Sequence, residues 1–590
     1  MPLVRIKPLG REIQCLKGEK LIDVFHREGI FYDFPCGGKG LCGKCRIKAV
    51  PAQSPSPGTE KVLSPEEIKS GICLACTFQV EDDVTITLLS TEKRISTADK
   101  SIGNQDEKFY KEPILVFEKY ARADDVFDLF SGEYSDIRVL NVLEQLSLER
   151  KKKKPVSVVT EKEVPLFYGS IPEDRGCYGI AVDIGTTTVD VALVDCVTLR
   201  IVGEKTFLNR QTAFGADVFS RADSFHKDRK PVREAVLTTI REGVSLLMKE
   251  AGVTPSEVFR TVVVGNSIMI HIFLDVDPFP ITLSPYLPVF RSMIKTEPGY
   301  SGWDFQKFGY VYTLPLISAF VGSDTAGVMV SENLGKEDRT ILLVDIGTNG
   351  EIVLNRNDEI ITTSAAAGPA FEGAQIECGM RALPGAVTGI RFNENTGLQL
   401  QTQGGVSPRG ICGSGILSSV CFLLRHGIIN KRGKFKSSEE ISFPELRRRC
   451  TAPPEGRRFN LTEDGKVYIS QKDIREVQLA KGAISSAVKV LLDRQGISLE
   501  QIDELRLAGN FGNSIDIEEV FTVGLLPRMS YDKVVYIGNA ALNGAVQVLL
   551  YRDAEEAAEK LTQKARNIEL SREKDFQKIF AKEMLFPVFK

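Results

Sequence analysis

One pentapeptide occurs twice in this chain and constrains its fold more than any other feature. Val-Asp-Ile-Gly-Thr spans Val182–Thr186 in GIAVDIGTTTVDVALVD and returns as Val344–Thr348 in ILLVDIGTNGEIVLNRN. Apolar stretches of strand character flank both copies, so each reads as strand, tight Asp-x-Gly-Thr turn, strand. A single hairpin of this kind says little, because Asp–Gly turns join strands for purely structural reasons. Two copies in register, far apart in the chain, point to two related lobes. A tip that offers Gly and Thr N–H and O–H groups can hold phosphate oxygens, while its Asp orients a hydrated cation. Two such tips facing each other across a cleft would clamp a triphosphate and its Mg²⁺.

Further glycine signals follow in a matching order. TVVVGNSIMIHIFL from Thr261 has the form strand, Gly, helix. ELRLAGNFGNSID at Glu504–Asp516 is a strand entering a Gly-rich turn, suited to close backbone approach to a nucleoside. VVYIGNAALNGAVQVLL from Val534 opens a helix with small residues, suited to close packing at a hinge. Together these segments resemble the sugar kinase, actin and heat-shock ATPase superfamily, whose fold is two ribonuclease-H-like lobes that close on nucleotide. By that resemblance the ATP contacts are Asp183, Gly185, Thr186 and Thr187 on the first loop. The second loop supplies Asp345, Gly347, Thr348, Asn349 and Gly350, with Gly509 and Gly512 near adenosine. In AGNFG a residue stands where a second Gly often precedes Phe, a small departure at the adenosine contacts.

The N-terminal tenth carries a different chemistry. Cys36, Cys42 and Cys45 crowd the Gly-rich loop PCGGKGLCGKCR, and Cys76 follows in GICLACTFQV, giving C-x5-C-x2-C-x30-C. A plant-type 2Fe–2S site takes three thiolates from one loop and one from a distant segment, with x4 as its usual first spacing. Glycines let such a loop wrap a cluster and aim N–H groups at its sulfurs. A structural zinc site is the alternative, but zinc ribbons usually come as two C-x2-4-C knuckles, and pairing Cys73 with Cys76 would leave Cys36 over. Cys15 and Cys73 read as buried small residues. The flanks suggest a β-grasp domain: a hairpin in LVRIKPLGREIQCL, a helix in KLIDVFHREGI, and strands in CRIKAV and DVTITLL. This fragment resembles plant-type ferredoxins.

The expected organisation is a ferredoxin domain at 1–90, a polar linker at 91–112, a small middle domain at 113–175 and a two-lobed ATPase with a helical tail at 176–590. The class is therefore multidomain, mixed α/β and α+β. Lys151–Lys154 reads as a solvated helix end. A net charge of −3 gives no basic excess for nucleic acid, and no apolar run approaches a membrane span. Twelve cysteines in 590 residues are too sparse for a disulfide scaffold, which fits a cytoplasmic protein. Four scattered histidines leave little room for His-rich metal chemistry.

A plant-type ferredoxin domain followed by this ATPase resembles the reductive activators of corrinoid proteins. The more particular strings are NRQTAFGADVFSRAD (209–223), ISAFVGSDTAG (317–327), GPAFEGAQIECGM (368–380), GICGSG (410–415) and QKDIREVQLAKGAI (471–484). The resemblance implies a 2Fe–2S cluster, ATP and Mg²⁺ as cofactors, a corrinoid methyl-carrier as partner, an upstream low-potential electron donor, and a homodimer. It implies return of Co(II) to Co(I) by one electron, in anaerobic C1 metabolism of the O-demethylase, methylamine or acetyl-CoA type. Plant-type clusters lie near about −400 mV, so a further ~200 mV uphill asks for roughly 5 kcal/mol, within reach of ATP-driven closure. Asp183 and Asp345 are expected to hold Mg²⁺-bound water, and Asp324 in VGSDTAG to orient the attacking water, with Glu351 and Asp190 as alternatives. Cys378 and Cys412, in Gly-rich ATPase segments, read as isolated buried thiols. A radical-dehydratase activator, a redox-regulated small-molecule kinase and a chaperone-type nucleotide-gated binding protein are the competing readings.

Overall fold

Alternation of buried and exposed residues in LVRIK and VTITL makes both segments half-buried strands, and they pair in parallel at the centre of the N-terminal sheet. The computed structural model describes residues 2–7, 11–28, 45–51, 62–88, 109–120, 137–149, 156–162, 164–169, 176–301, 303, 306, 308–336, 338–509 and 515–587. The N-terminal sheet runs in the order Arg11–Gln14, Leu3–Lys7, Val84–Leu88, Arg46–Val50, Ile72–Leu74. Helix Leu21–Arg27 packs Leu21, Val24 and Phe25 onto Val4, Ile6, Ile47 and Ile86, the β-grasp core expected from the sequence. Next comes an antiparallel sheet of Val164–Gly169, Val156–Glu161 and Leu115–Tyr120, with helix Ile137–Glu149.

The two pentapeptide hairpins sit in sheets of one topology. In the first, Arg200–Leu208, Thr188–Asp195 and Tyr178–Ile184 form an antiparallel meander, and Val258–Gly265 and Tyr310–Thr313 continue it in parallel, with Ile294–Thr296 on the edge. In the second, Glu359–Ala365, Gly350–Arg356 and Ile341–Ile346 make the same meander, continued in parallel by Glu504–Ala508 and Val534–Gly538, with Arg566–Asn567 at the outer edge. Reading strands in chain order, both cores are arranged 3-2-1-4-5, the ribonuclease-H-like order. Strand Ile341–Ile346, ILLVDI, is buried almost throughout because it is central and covered on both faces.

The chain divides into two compact units, Met1–Asn333 with Ala541–Gln563, and Leu334–Ala540 with Lys564–Lys590. Within the first, helices Ser323–Ser331 and Ala540–Leu550 approach so closely that a Cβ on Gly544 would lie 1.9 Å from the Gly327 carbonyl oxygen. Only glycine permits that contact, which accounts for the small residues of GNAALNGA. The second unit is built around helices Gly413–Arg425 and Gln471–Gln495. Among the described residues no helix is long and apolar enough to cross a membrane.

Candidate functional site

The thiol pair of the ferredoxin domain forms where two strands meet. Arg46–Val50 pairs antiparallel with Ile72–Leu74, so Cys45 just before one strand and Cys76 just after the other come to the same end. The Ala75 N–H donates to the Cys45 carbonyl at 2.8 Å, and the two Sγ atoms lie 3.2 Å apart. Both are buried, and sulfurs this close can share one metal, so the pair fits half of a Cys₄ cluster site. Cys36 and Cys42 lie outside the described residues. Cys73 behaves differently: burial pushes its thiol up to about 12, and its Sγ turns to the Ile47 carbonyl. It and Cys15 are core residues, as the sequence reading has them.

At the first Asp-x-Gly-Thr loop, Asp183 is half-buried near the end of its strand, and Gly185–Thr187 turn the chain. A Cβ on Gly185 would lie 2.8 Å from the Thr188 carbonyl oxygen, so the tightness of the turn demands glycine. Asp190 stands opposite Asp183 in the hairpin register and accepts the hydroxyl of Thr206. The loop is held from behind by Asn209, which is fully buried. Its backbone N–H donates to Thr187 O at 2.9 Å and its amide to Gly185 O at 2.8 Å. Asp324, in the first turn of helix Ser323–Ser331, is brought to this edge of the sheet by Ser323, whose hydroxyl bonds Gly265. Gly265 is in register with Ile184, next to Asp183. Burial pushes the Asp324 carboxyl up to about 6, against hydrogen bonds from Thr325 and nearby backbone N–H groups that favour its charged form.

At the second loop, Asp345 is half-buried, and the turn closes through Gly347 N–H to the Asn349 carbonyl at 3.0 Å. Gly509 follows the parallel strand Glu504–Ala508, in which Ala508 is in register with Asp345. Its φ is +86°, and a Cβ there would sit 2.5 Å from Asp345 Oδ1. Gly512 lies outside the described residues. Glu351 is the cross-strand neighbour of Asp345. The Thr348 hydroxyl donates to Glu372, at the end of the short turn Pro369–Glu372, bracketed by Gly368 and Gly373 with φ of 74° and 77°. Glu372 is the residue here that sequence reasoning missed. Its only signal was the glycine bracketing within GPAFEGA. Cys378, pushed up to about 11 by burial, bonds the Lys466 carbonyl, and buried Cys412 bonds that of Val387. The raised Cys378 thiol is not that of a working nucleophile, and neither cysteine is gathered with other metal ligands among the described residues.

A ferredoxin-type β-grasp on one chain with two ribonuclease-H-like lobes, each bearing an Asp-x-Gly-Thr hairpin, defines an iron–sulfur ATPase of actin-like type. Comparison with known proteins points to the same class. Residues 4–81 match the 2Fe–2S iron–sulfur cluster binding domain, 178–337 the RACo middle region, and 339–590 the C-terminal ASKHA domain of RACo. The corrinoid activation enzyme RamQ of Eubacterium limosum is 31% identical over 606 aligned residues, covering 98% of each chain. The [Co(II) methylated amine-specific corrinoid protein] reductase of Methanosarcina barkeri is 26% identical over 65% of this chain and 73% of its own. The solved reductive activator for corrinoid, iron–sulfur protein superposes with a TM-score of 0.72 at 31% identity, covering 100% of this chain and 98% of that one. The chain belongs to this family, the reductive activators of corrinoid proteins.

Proposed function

We propose that this protein uses ATP to pass one electron from its own 2Fe–2S cluster to the Co(II) corrinoid of a methyl-carrier protein, restoring Co(I). The observation that carries the reading is the presence, on one chain, of the converging Cys45 and Cys76 thiols and of two supported Asp-x-Gly-Thr hairpins. Cys36, Cys42, Cys45 and Cys76 hold the cluster, which when bound supplies a single low-potential electron. Burial of Cys45 and Cys76 keeps water from that side of the site.

The first loop, through Gly185, Thr186 and Thr187, and the second, through Gly347, Thr348, Asn349 and Gly350, offer N–H and O–H donors to the nucleotide phosphates. Asp183 and Asp345 hold Mg²⁺-bound water. Asp324 orients the attacking water and takes its proton. A carboxylate titrating near about 6 suits that task, since a general base works best with a pKa close to the operating pH. Gly509 and Gly512 let the backbone approach adenosine. Nucleotide binding favours an arrangement that docks the oxidised carrier, and docking raises the potential of its cobalt toward that of the cluster. ATP hydrolysis, by releasing the reduced carrier, supplies the free energy of the uphill step. The proposal includes an upstream low-potential donor, a homodimer and a cytoplasmic setting.

The test is anaerobic. Dithionite-reduced protein is mixed with a Co(II) corrinoid protein, and the cobalt spectrum is followed with and without Mg-ATP. Co(I) that appears only with ATP, and not with a Cys42→Ala variant, supports the reading. ATP turnover with no cobalt reduction across several corrinoid partners overturns it in favour of a redox-regulated kinase.

A further inference from the structure

The segment Asn209–Gly215 touches two things that the proposed function needs to connect. At one end, Asn209 holds the carbonyls of Gly185 and Thr187, the backbone of the first phosphate loop. At the other, Ala213 is part of the ferredoxin domain's apolar core, and Phe214 packs against both that core and the core of the first ATPase lobe. Only four residues separate Asn209 from Phe214, and they are rigidly held. Asn209 Oδ1 accepts the Gln211 N–H at 3.0 Å, and fully buried Gln211 donates its amide to the Val232 carbonyl at 3.2 Å. The Thr212 hydroxyl donates to the Asn209 carbonyl at 2.9 Å, closing the 3-10 turn Arg210–Ala213. Beyond it, the Phe214 carbonyl accepts from the Ser224 hydroxyl at 2.8 Å, and the Gly215 carbonyl from fully buried Arg221 at 3.0 Å.

Each of these bonds has a local consequence, but together they leave the segment little freedom to absorb a shift. A movement of the Gly185 and Thr187 carbonyls when phosphate is bound is passed to Asn209, because a fully buried amide that loses its partner has no water to replace it. Close-packed side chains transmit such a displacement rather than damping it. We propose that Asn209 is a positioning residue of the first phosphate loop and that Ala213–Phe214 carry the nucleotide state of that loop to the ferredoxin domain. The inference rests on the ATP reading above and adds to it a route between nucleotide and electron carrier.

Hydrogen exchange on the full-length, cluster-loaded protein, with and without a non-hydrolysable ATP analogue, tests this. In the wild type, the analogue is expected to slow exchange at both phosphate loops, at 209–217 and in the ferredoxin-core peptides 15–25 and 72–80. Phe214→Ala is expected to keep analogue affinity within about twofold and protection at the loops, while the ferredoxin response falls to less than about one third. Phe214→Leu, which retains an apolar contact, should restore it. Asn209→Asp keeps the acceptor for Gln211 but loses the donor to Gly185, and should weaken analogue binding about three- to tenfold and the ferredoxin response with it. The visible spectrum of the cluster reports whether each variant is folded and loaded. An unchanged ferredoxin response in Phe214→Ala, or no such response in a wild type whose loops are protected, overturns the proposal. Absence of protection at the loops themselves would remove the ATP reading and this inference together.

Discussion

The two Asp-x-Gly-Thr loops share a sequence and a sheet topology, yet they are supported by opposite chemistry. In each lobe the supporting group follows the third strand of the meander, 24 residues beyond the atom it holds. In the first lobe it is a neutral residue, Asn209, donating its side-chain amide to the Gly185 carbonyl and its backbone N–H to that of Thr187. In the second it is a carboxylate, Glu372, accepting from the Thr348 hydroxyl. Buried cations show a parallel contrast. Arg260, fully buried on strand Val258–Gly265, is matched by the carboxylates of Glu161 and Glu555 and lies over the Tyr312 ring at 3.9 Å. Lys481, buried on helix Gln471–Gln495, is met by backbone carbonyls of Glu583 and Leu585. Equivalent folds thus leave the charge of a supporting residue open, provided each buried polar group has a partner.

That contrast predicts unequal damage. Arg260→Met leaves buried Glu161 to the Tyr312 hydroxyl and Glu555 to Lys162, without the cation that joins them, and should cost the first unit about 3–5 kcal/mol in urea unfolding. Adding Glu161→Gln and Glu555→Gln should return most of the loss. If the single variant loses under about 1 kcal/mol, the ion cluster does not hold this unit together. Gly509→Ala is next: its φ of +86° and the 2.5 Å approach to Asp345 Oδ1 should displace that carboxylate. ATP turnover should fall by about tenfold or more, with KM less affected than kcat.

Lys481→Met leaves no stranded charge, only carbonyls without a donor, so about 1–3 kcal/mol is expected, less than for Arg260. Its pH dependence also differs. Burial brings the Lys481 ammonium down to about 8, so above that pH the folded protein binds fewer protons than the unfolded chain. The cost of burying the charge, present in full below about 8, is relieved as pH rises toward the ordinary lysine range near about 10.4. Urea midpoints of the wild type should therefore gain stability from this residue between about pH 8 and 10, and Lys481→Met should lack that gain. Glu372→Gln makes the smallest change, because the amide oxygen still accepts from Thr348. A fall of about two- to fivefold in ATP turnover is expected, against a larger fall for Glu372→Ala.

The parts legible in the sequence are those whose physics is local. The hairpins at Asp183 and Asp345 follow from apolar strands flanking a glycine turn, and the pentapeptide repeat made their kinship visible. The Cys45 and Cys76 pair was readable because ligand spacing is a property of the chain. Asp324 could be nominated from its Gly-Ser-Asp setting, but its place beside the first loop depends on Ser323 bonding Gly265 across 58 residues. Asn209 and Glu372 appeared in quoted strings without a role, since nothing local says which carbonyl or hydroxyl a buried polar group will meet.

By itself, then, the sequence determined that this protein has a cluster-binding domain, two related lobes and a pair of Asp-x-Gly-Thr hairpins, because periodicity, turn chemistry and ligand spacing act over a few residues. Tertiary structure alone decided which groups support each loop, that Arg260 pairs with carboxylates while Lys481 takes carbonyls, and that the stretch beyond Asn209 meets the ferredoxin core. These depend on satisfying buried polar groups, and burial exists only after distant segments have packed.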